Sequence, residues 1–229
     1  GVAVTVAVNR TPTDPVAGVA VDDADRLDEL IATAEPDVLV DFTGPESAVS
    51  YAETCADAGV PMVTGTTGFS EPQLDALTAA SESIPVLKAP NFARGVAALR
   101  RAVRTAAAAL PGYDVEVTET HHNAKRDAPS GTAASILDDV ESVREDLDER
   151  VHGREGDAPR EAGEIGVHAR RAGDVTGEHE VLLAGNREVV ELTHRAGDRG
   201  VFAEGALDAA DWLADRDPGW YGFGDVLDA

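Results

Sequence analysis

The chain of 229 residues has one cysteine, Cys55, and only two lysines, Lys88 and Lys125. A single cysteine excludes an internal disulfide framework and fits a reducing compartment, so a cytoplasmic location is expected. No apolar run approaches the roughly 20 residues of a membrane span, and the opening residues carry no signal-peptide pattern. Basic side chains are scarce: 19 stand against 43 acidic ones, a formal charge of −24. That balance argues against unaided binding to nucleic acid or to an anionic membrane. The acids recur along the whole chain rather than forming a tail. With so few lysines, the composition fits a high-salt cytoplasm, where the Debye length shrinks to about 3 Å near 1 M salt. Internal repeats and low-complexity stretches are missing too. A hydrophobic content of 43% suits a folded chain with a sizeable core.

The first 92 residues alternate strand and helix patterns. Val2 to Val8 is an apolar, β-branched run that predicts a buried strand, broken by Asn9-Arg10-Thr11-Pro12. Leu27, Leu30 and Ile31 at helical spacing predict a helix over 22–34. A strand follows at 38–43, a helix at 46–58 stopped by Gly59, and a short strand at 60–63. That strand runs into Thr64-Gly65-Thr66-Thr67-Gly68-Phe69. Ser70 then caps a helix with Pro72 in its first turn, and a strand at 84–87 leads into Ala89-Pro90-Asn91-Phe92. This alternation predicts a Rossmann-like α/β domain with a parallel sheet. Ligands of such sheets bind at the strands' carboxyl ends, where Arg10, Gly65 to Thr67 and Asn91-Phe92 fall. Arg10 suits a ribose phosphate, although from these residues alone a solvated turn is the better reading. No G-x-G-x-x-G turn occurs.

From Ala93 the pattern changes. It predicts a helix over 93–110, a half-buried strand over 113–120, a helix from Thr132 to about Leu147 and a charged loop over 148–163. Strands follow at 164–171, 179–184 and 188–195, the last two joined by the turn signal Gly185-Asn186, and then a helix at 201–213. The second half is expected to be an α+β domain with a mostly antiparallel sheet. A sheet with one helix-covered face has another to hide, which favours symmetric self-association.

Between the half-buried strand and the helix after it lies Glu119-Thr120-His121-His122-Asn123-Ala124-Lys125-Arg126-Asp127-Ala128-Pro129-Ser130-Gly131-Thr132. Histidine exchanges protons near neutrality, and a lysine ammonium binds carboxylates or donates a proton. Ser130-Gly131-Thr132 opens a helix, whose free N–H groups and positive dipole end attract anions. Together these suit a small carboxylate substrate protonated at a neighbouring atom. Other readings compete. Metal binding by the histidines and Asp127 is disfavoured, because adjacent strand residues face opposite ways and Lys125 repels a cation, so no metal is expected. Ser130 lacks the G-x-S-x-G surroundings of a nucleophile. Taken singly, each residue also fits a helix cap or a solvated side chain.

The run Glu119-x-His121-His122-x-x-Lys125-x-Asp127-Ala128-Pro129-Ser130-Gly131-Thr132-Ala133 resembles the signature of the 4-hydroxy-tetrahydrodipicolinate reductase family without a gap. Asp41-Phe42-Thr43, Gly65 to Phe69, Asn91-Phe92, and Arg171 to Asp174 with Gly177-Glu178-His179 are similar to family segments in the same order. The resemblance implies an enzyme that reduces a cyclic dicarboxylate with NADPH or NADH on the diaminopimelate route to lysine. It implies that His121 exchanges a proton with the ring and that Lys125 is its catalytic partner. His122, Ser130, Gly131 and Thr132 would bind substrate carboxylates. Gly65, Thr66, Thr67, Ala89, Pro90, Asn91 and Phe92 would line the cofactor's nicotinamide side, and Arg10 would reach its adenosine ribose. A homotetramer assembled through the second sheet is implied, as is a division into 1–92 with 204–229 for the cofactor and 93–203 for substrate and assembly.

Two departures qualify this. The family's first strand, glycine-rich pyrophosphate loop and first helix, roughly 25–30 residues or one βα unit, have no counterpart, so weakened cofactor binding is expected. Asn9 stands where many members carry an acid, which leans towards NADPH. A non-catalytic, sheet-forming assembly or regulatory protein of the same fold is the main alternative, opposed by the intact pair His121 and Lys125. A homoserine or aspartate-semialdehyde dehydrogenase is less favoured, the latter because Cys55 lies in a helix without catalytic context.

Overall fold

A computed structural model describes residues 1–227, which divide into two compact units: 1–92 with 203–227, and 93–202. The first unit begins with β1 (Ala7–Asn9) and β2 (Val21–Asp23), which pair in parallel. Then come α1 (Leu27–Ala34), β3 (Leu39–Asp41), α2 (Pro45–Ala58), β4 (Met62–Thr64), α3 (Glu71–Ser81) and β5 (Pro85–Lys88). The second unit holds α4 (Arg94–Ala109), β6 (Asp114–His121), α5 (Gly131–Glu141), β7 (Glu149–His152), β8 (Glu164–Arg171), β9 (Glu178–Gly185) and β10 (Glu188–Arg195). Helix α6 (Gly200–Leu213) carries the chain back to the first unit, which ends with β11 (Gly219–Tyr221) and α7 (Phe223–Val226).

Local chemistry sets the element ends. Pro45 sits at the first turn of α2, and Gly59 stops it in the left-handed region at φ 72°. Ser70 and Gln73 form a capping box at the start of α3. In the β9–β10 hairpin Asn186 and Arg187 both take positive φ, the pair of left-handed residues that a tight hairpin turn requires.

In the first unit β3, β4, β5 and β11 form an all-parallel sheet of order β11-β5-β4-β3. Met62, Val86, Leu77, Ile84, Cys55 and Ala48 fill the core between it and its helices. The sheet comes in two pieces, since no ladder joins β1 to β3 among the described residues. The expected strand over Val2–Val8 contracts accordingly to Ala7–Asn9, and Val2 and Val4 are exposed, because β1 pairs on one side only.

The second unit is a five-stranded mixed sheet of order β10-β9-β6-β8-β7. β6, β9 and β10 pair antiparallel, whereas β7 and β8 run parallel to β6. The long connection through α5 crosses over and allows that parallel pairing. Val115, Val117, Ile165, Val167, Val181 and Leu183 point to one face and pack under Leu99, Val103, Ile136, Leu137 and Val140 of α4 and α5. Helix α5 stops at Glu141, short of the expected Leu147. There the Arg144 guanidinium satisfies the carbonyls of Leu110 and Tyr113 at 3.0 Å each and fixes a turn instead. The structure also adds β7 where a loop is expected.

Candidate active site

The helix-covered face of the second sheet is apolar along most of its length and turns polar at the carboxyl end of β6. Glu119 and His121 lie two residues apart on that strand and therefore share this face. Strand register brings two more side chains to them: Arg171 pairs with His121 across β6–β8, and His179 pairs with Glu119 across β6–β9. Glu119 is fully buried. Its Oε2 accepts a short hydrogen bond from His121 Nδ1 and another from Arg171 Nη1 at 3.0 Å. Its Oε1 accepts from Arg171 Nη2 at 2.8 Å and from the Ser130 backbone N–H at 3.2 Å. Ser130 is the N-cap of α5, its Oγ accepting from the Ala133 N–H at 3.1 Å. The buried carboxylate thus ties His121 to the helix start.

His179 packs edge-on against His121, with ring centroids 5.2 Å apart, and its Nε2 lies 3.2 Å from Ser130 Oγ. Its Nδ1 is buried without a hydrogen-bond partner among the described residues. Burial, with His121 nearby, pushes the His179 imidazole down to about 4. Burial also pushes His121 below its ordinary value. Glu119 opposes the shift, while the positive charges of Lys125 and Arg171 add to it. Burial acts against the Glu119 carboxylate as well, yet the hydrogen bonds from Arg171 and His121 prevail and hold it below the usual carboxylate range. The cluster at neutral pH is therefore an ionised Glu119 between a permanent cation and a neutral His121.

Lys125, half-buried in the loop after β6, ion-pairs with Asp127 at 2.8 Å, and its hydrogen bond keeps the Asp127 carboxyl low. His122 follows the strand and is half-buried, its carbonyl accepting from the Lys125 N–H at 3.2 Å. Gly131 is exposed, with open space where a Cβ would stand, and Thr132 is half-buried beside it. His121, His122, Lys125, Ser130, Gly131 and Thr132 thus belong to one loop and helix start, which combines two imidazole rings, an ammonium and a helix N-terminus, groups able to exchange protons and attract anions.

A second cluster lies in the first unit at the carboxyl ends of β3 and β4. Asp41 is buried. Its Oδ1 accepts from the Thr43 N–H at 2.9 Å and the Thr43 hydroxyl at 2.5 Å, and its Oδ2 from the hydroxyls of Thr64 and Thr66 at 2.7 Å each. This fixes the loop holding Gly65, Thr66 and the exposed Thr67. A Cβ at Gly65 would run into the Phe42 ring, so only glycine lets that aromatic lie against the backbone. Phe42 meets Phe92 edge-on at 5.6 Å, and Phe92 meets Phe223 likewise at 5.3 Å. Ala89 donates its N–H to the Thr64 carbonyl at 3.1 Å, which seats the segment Ala89, Pro90, Asn91 and Phe92 beside the same loop. Arg10 is exposed at the end of β1 and reaches Ser47 Oγ at 3.3 Å in the first turn of α2. Cys55 is buried within α2, its thiol pushed up to about 12 by burial, which leaves it no nucleophilic role.

Sequence reasoning left Glu119, Arg171, His179 and Asp41 without roles. The two-residue spacing of Glu119 and His121 was the one readable signal for the first, since it puts both on one strand face.

Comparison with known proteins gives a consistent match. The family model described as "Dihydrodipicolinate reductase, N-terminus" matches residues 3–92, and that described as "Dihydrodipicolinate reductase, C-terminus" matches residues 95–227. A 4-hydroxy-tetrahydrodipicolinate reductase of Haloarcula marismortui is 55% identical over 230 residues, covering 96% of this chain and 92% of the relative. The protein of that name from Natronomonas pharaonis is 57% identical over 212 residues, covering 93% and 85%. Among solved structures, a dipicolinate-bound dihydrodipicolinate reductase from Paenisporosarcina sp. TG-14 is similar with a TM-score of 0.77 at 30% identity, covering 94% of this chain and 82% of that one.

Proposed function

From the premise that the chain belongs to the dihydrodipicolinate reductase family, we propose that it reduces 4-hydroxy-tetrahydrodipicolinate to tetrahydrodipicolinate and water in lysine biosynthesis. Members of this family are NAD(P)H-dependent oxidoreductases. The single observation that carries the reading is the junction of His121 with the N-terminus of α5 through Glu119. It joins a proton-exchanging nitrogen to a carboxylate-binding helix end, which is what a cyclic dicarboxylate needs.

In this reading the second unit binds substrate. The N–H groups and hydroxyls at Ser130, Gly131 and Thr132 receive one carboxylate, aided by the positive end of the α5 dipole. His122 and the Lys125 ammonium contribute further donors, and Lys125 assists proton movement at the ring. His121 has its Nδ1 committed to Glu119, so Nε2 is the nitrogen that exchanges a proton with substrate. A dicarboxylate is a fitting ligand, since the chain bound to dipicolinate shares this fold.

The first unit would hold the cofactor, which when bound supplies the hydride. The residues present fit its nicotinamide and ribose ends: a bare backbone at Gly65 flanked by Phe42, a threonine loop pinned by Asp41, the Ala89 to Phe92 segment, and Arg10 with its guanidinium exposed. A glycine-rich pyrophosphate turn has no counterpart among residues 1–229. Arg10 after Asn9 favours a phosphorylated ribose, hence NADPH.

The assembly we infer is a cytoplasmic homotetramer formed through the uncovered face of the second sheet. Alternation puts Leu182 and Ala184 on that face, and the exposed Val189 adds an apolar contact among charges. No helix among the described residues is long and apolar enough to cross a membrane. High-salt adaptation is inferred from the charge of −24, together with similarity to the two archaeal relatives. The test of function is oxidation of NADPH or NADH that depends on freshly made synthase product, in the chain and in its His121→Gln and Lys125→Ala variants. Absence of substrate-dependent oxidation would favour the non-catalytic assembly reading.

A further inference from the structure

The geometry points to Glu119 as a positioning residue that holds His121 in the tautomer protonated at Nδ1, so that Nε2 alone faces the substrate. The inference rests on the reading of His121 as the proton-exchanging group. Four hydrogen bonds converge on the two oxygens of Glu119, from His121 Nδ1, Arg171 Nη1, Arg171 Nη2 and the Ser130 N–H. Three of these four groups are donors that cannot become acceptors: the guanidinium has no acceptor, and neither has a backbone N–H. Only an ionised, acceptor-only carboxylate satisfies all of them. Arg171, itself largely buried, keeps it ionised by a two-pronged contact. The remaining partner, His121, must then donate from Nδ1.

The far side of the ring is kept clear. A Cβ at Gly177 would stand 3.2 Å from His121 Nε2, so a glycine there leaves room beside that nitrogen. His179 braces the ring edge-on, and its own imidazole is anchored on Ser130 Oγ. The charged and titratable groups facing His121 are therefore Glu119 on its own strand, Arg171 on β8, His179 on β9 and Lys125 on the loop.

Replacing Glu119 by glutamine makes the consequence specific. An amide has one acceptor and one donor end. If its NH2 takes the place of Oε1, it meets two fixed donors, the Ser130 N–H and Arg171 Nη2. If it takes the place of Oε2, it meets one, Arg171 Nη1, and the histidine can adapt by accepting at Nδ1 and moving its proton to Nε2. The second arrangement costs less, so E119Q switches the tautomer. A histidine with the wrong nitrogen protonated cannot pass a proton as the native one does.

Long-range proton–nitrogen NMR of the 15N-labelled protein near pH 7.5 reads the tautomer without substrate. The expected spectrum shows His121 protonated at Nδ1 in the wild type and at Nε2 in E119Q. In kinetics, E119Q should lower kcat by about 100-fold or more, with KM for substrate changed by less than about threefold. The double variant E119Q/H121Q should be no slower than H121Q, since Glu119 acts through His121. A wild-type His121 protonated at Nε2 overturns the proposal even if E119Q fails to fold. So does an E119Q protein with unchanged tautomer, or losses that add in the double variant. If the wild type oxidises neither cofactor, the proposed reaction fails, while the tautomer spectra still decide the role of Glu119.

Discussion

His179 makes the second unit sensitive to acid in a way that can be isolated. The ring is 3% exposed, its Nδ1 lacks a hydrogen-bond partner among the described residues, and burial holds it at about 4. In the unfolded chain the same ring titrates near its ordinary value of about 6.5. The folded pKa is the lower one, so below about 6.5 the unfolded state binds more protons than the native state. The histidine's stabilising contribution is complete above that value and declines as pH falls towards 4. The gap between 6.5 and 4 corresponds to a maximum on the order of 3 kcal/mol, of which about 2 kcal/mol is lost by pH 5. Other carboxylates and histidines titrate in the same interval, so the informative quantity is a difference between two proteins. His179→Gln preserves a hydrogen-bonding group towards Ser130 but does not titrate. Urea unfolding at fixed salt, followed by circular dichroism, should find the wild type more stable at pH 7.5. That advantage should shrink by about 2 kcal/mol at pH 5. Stability curves that stay parallel, within about 0.5 kcal/mol, would refute the claim that His179 is buried in its neutral form.

Two further outcomes concern the first unit. Asp41→Ala strips an acceptor from two buried threonines, Thr64 and Thr66, and from the exposed Thr43, and should cost about 3 kcal/mol, whereas Asp41→Asn, whose amide can donate to the hydroxyls of Thr64 and Thr66, should cost about 1 kcal/mol. Thermal melting separates them, and equal losses would contradict the hydrogen-bond account. Gly205 lies where an added Cβ would run into the Phe92 carbonyl oxygen, so Gly205→Ala should lower stability by about 2 kcal/mol or more. A melting temperature unchanged in that variant would contradict the close packing of α6 on the Ala89 to Phe92 segment.

The parts of the fold that the sequence reveals are those with local signals. The α2 end at Gly59, the α3 start at Ser70 and the alternating strands β8, β9 and β10 each carry their own pattern. Strands β2 and β7 do not: each is three or four residues long, rich in charge, and held by pairing with a strand distant in sequence. Val2 to Val6 shows the converse, an apolar run with strand composition that pairs with no strand among the described residues. The same division applies to the site. His121, His122, Lys125 and Ser130 to Thr132 are contiguous enough to be seen as a motif. Arg171 and His179 reach Glu119 and His121 only through the register of β8 and β9 on β6, which no single segment encodes.

His121 and Lys125 are proposed to act on a cyclic dicarboxylate reduced by NAD(P)H. The direct measurement is the initial rate of NADPH and NADH oxidation with synthase product supplied in a coupled assay, for wild type, His121→Gln and Lys125→Ala. Substrate-dependent oxidation is expected from the wild type, with a loss of about 100-fold or more in kcat/KM for each variant, at melting temperatures within a few degrees of the wild type. Wild-type turnover that survives in both variants would contradict that role.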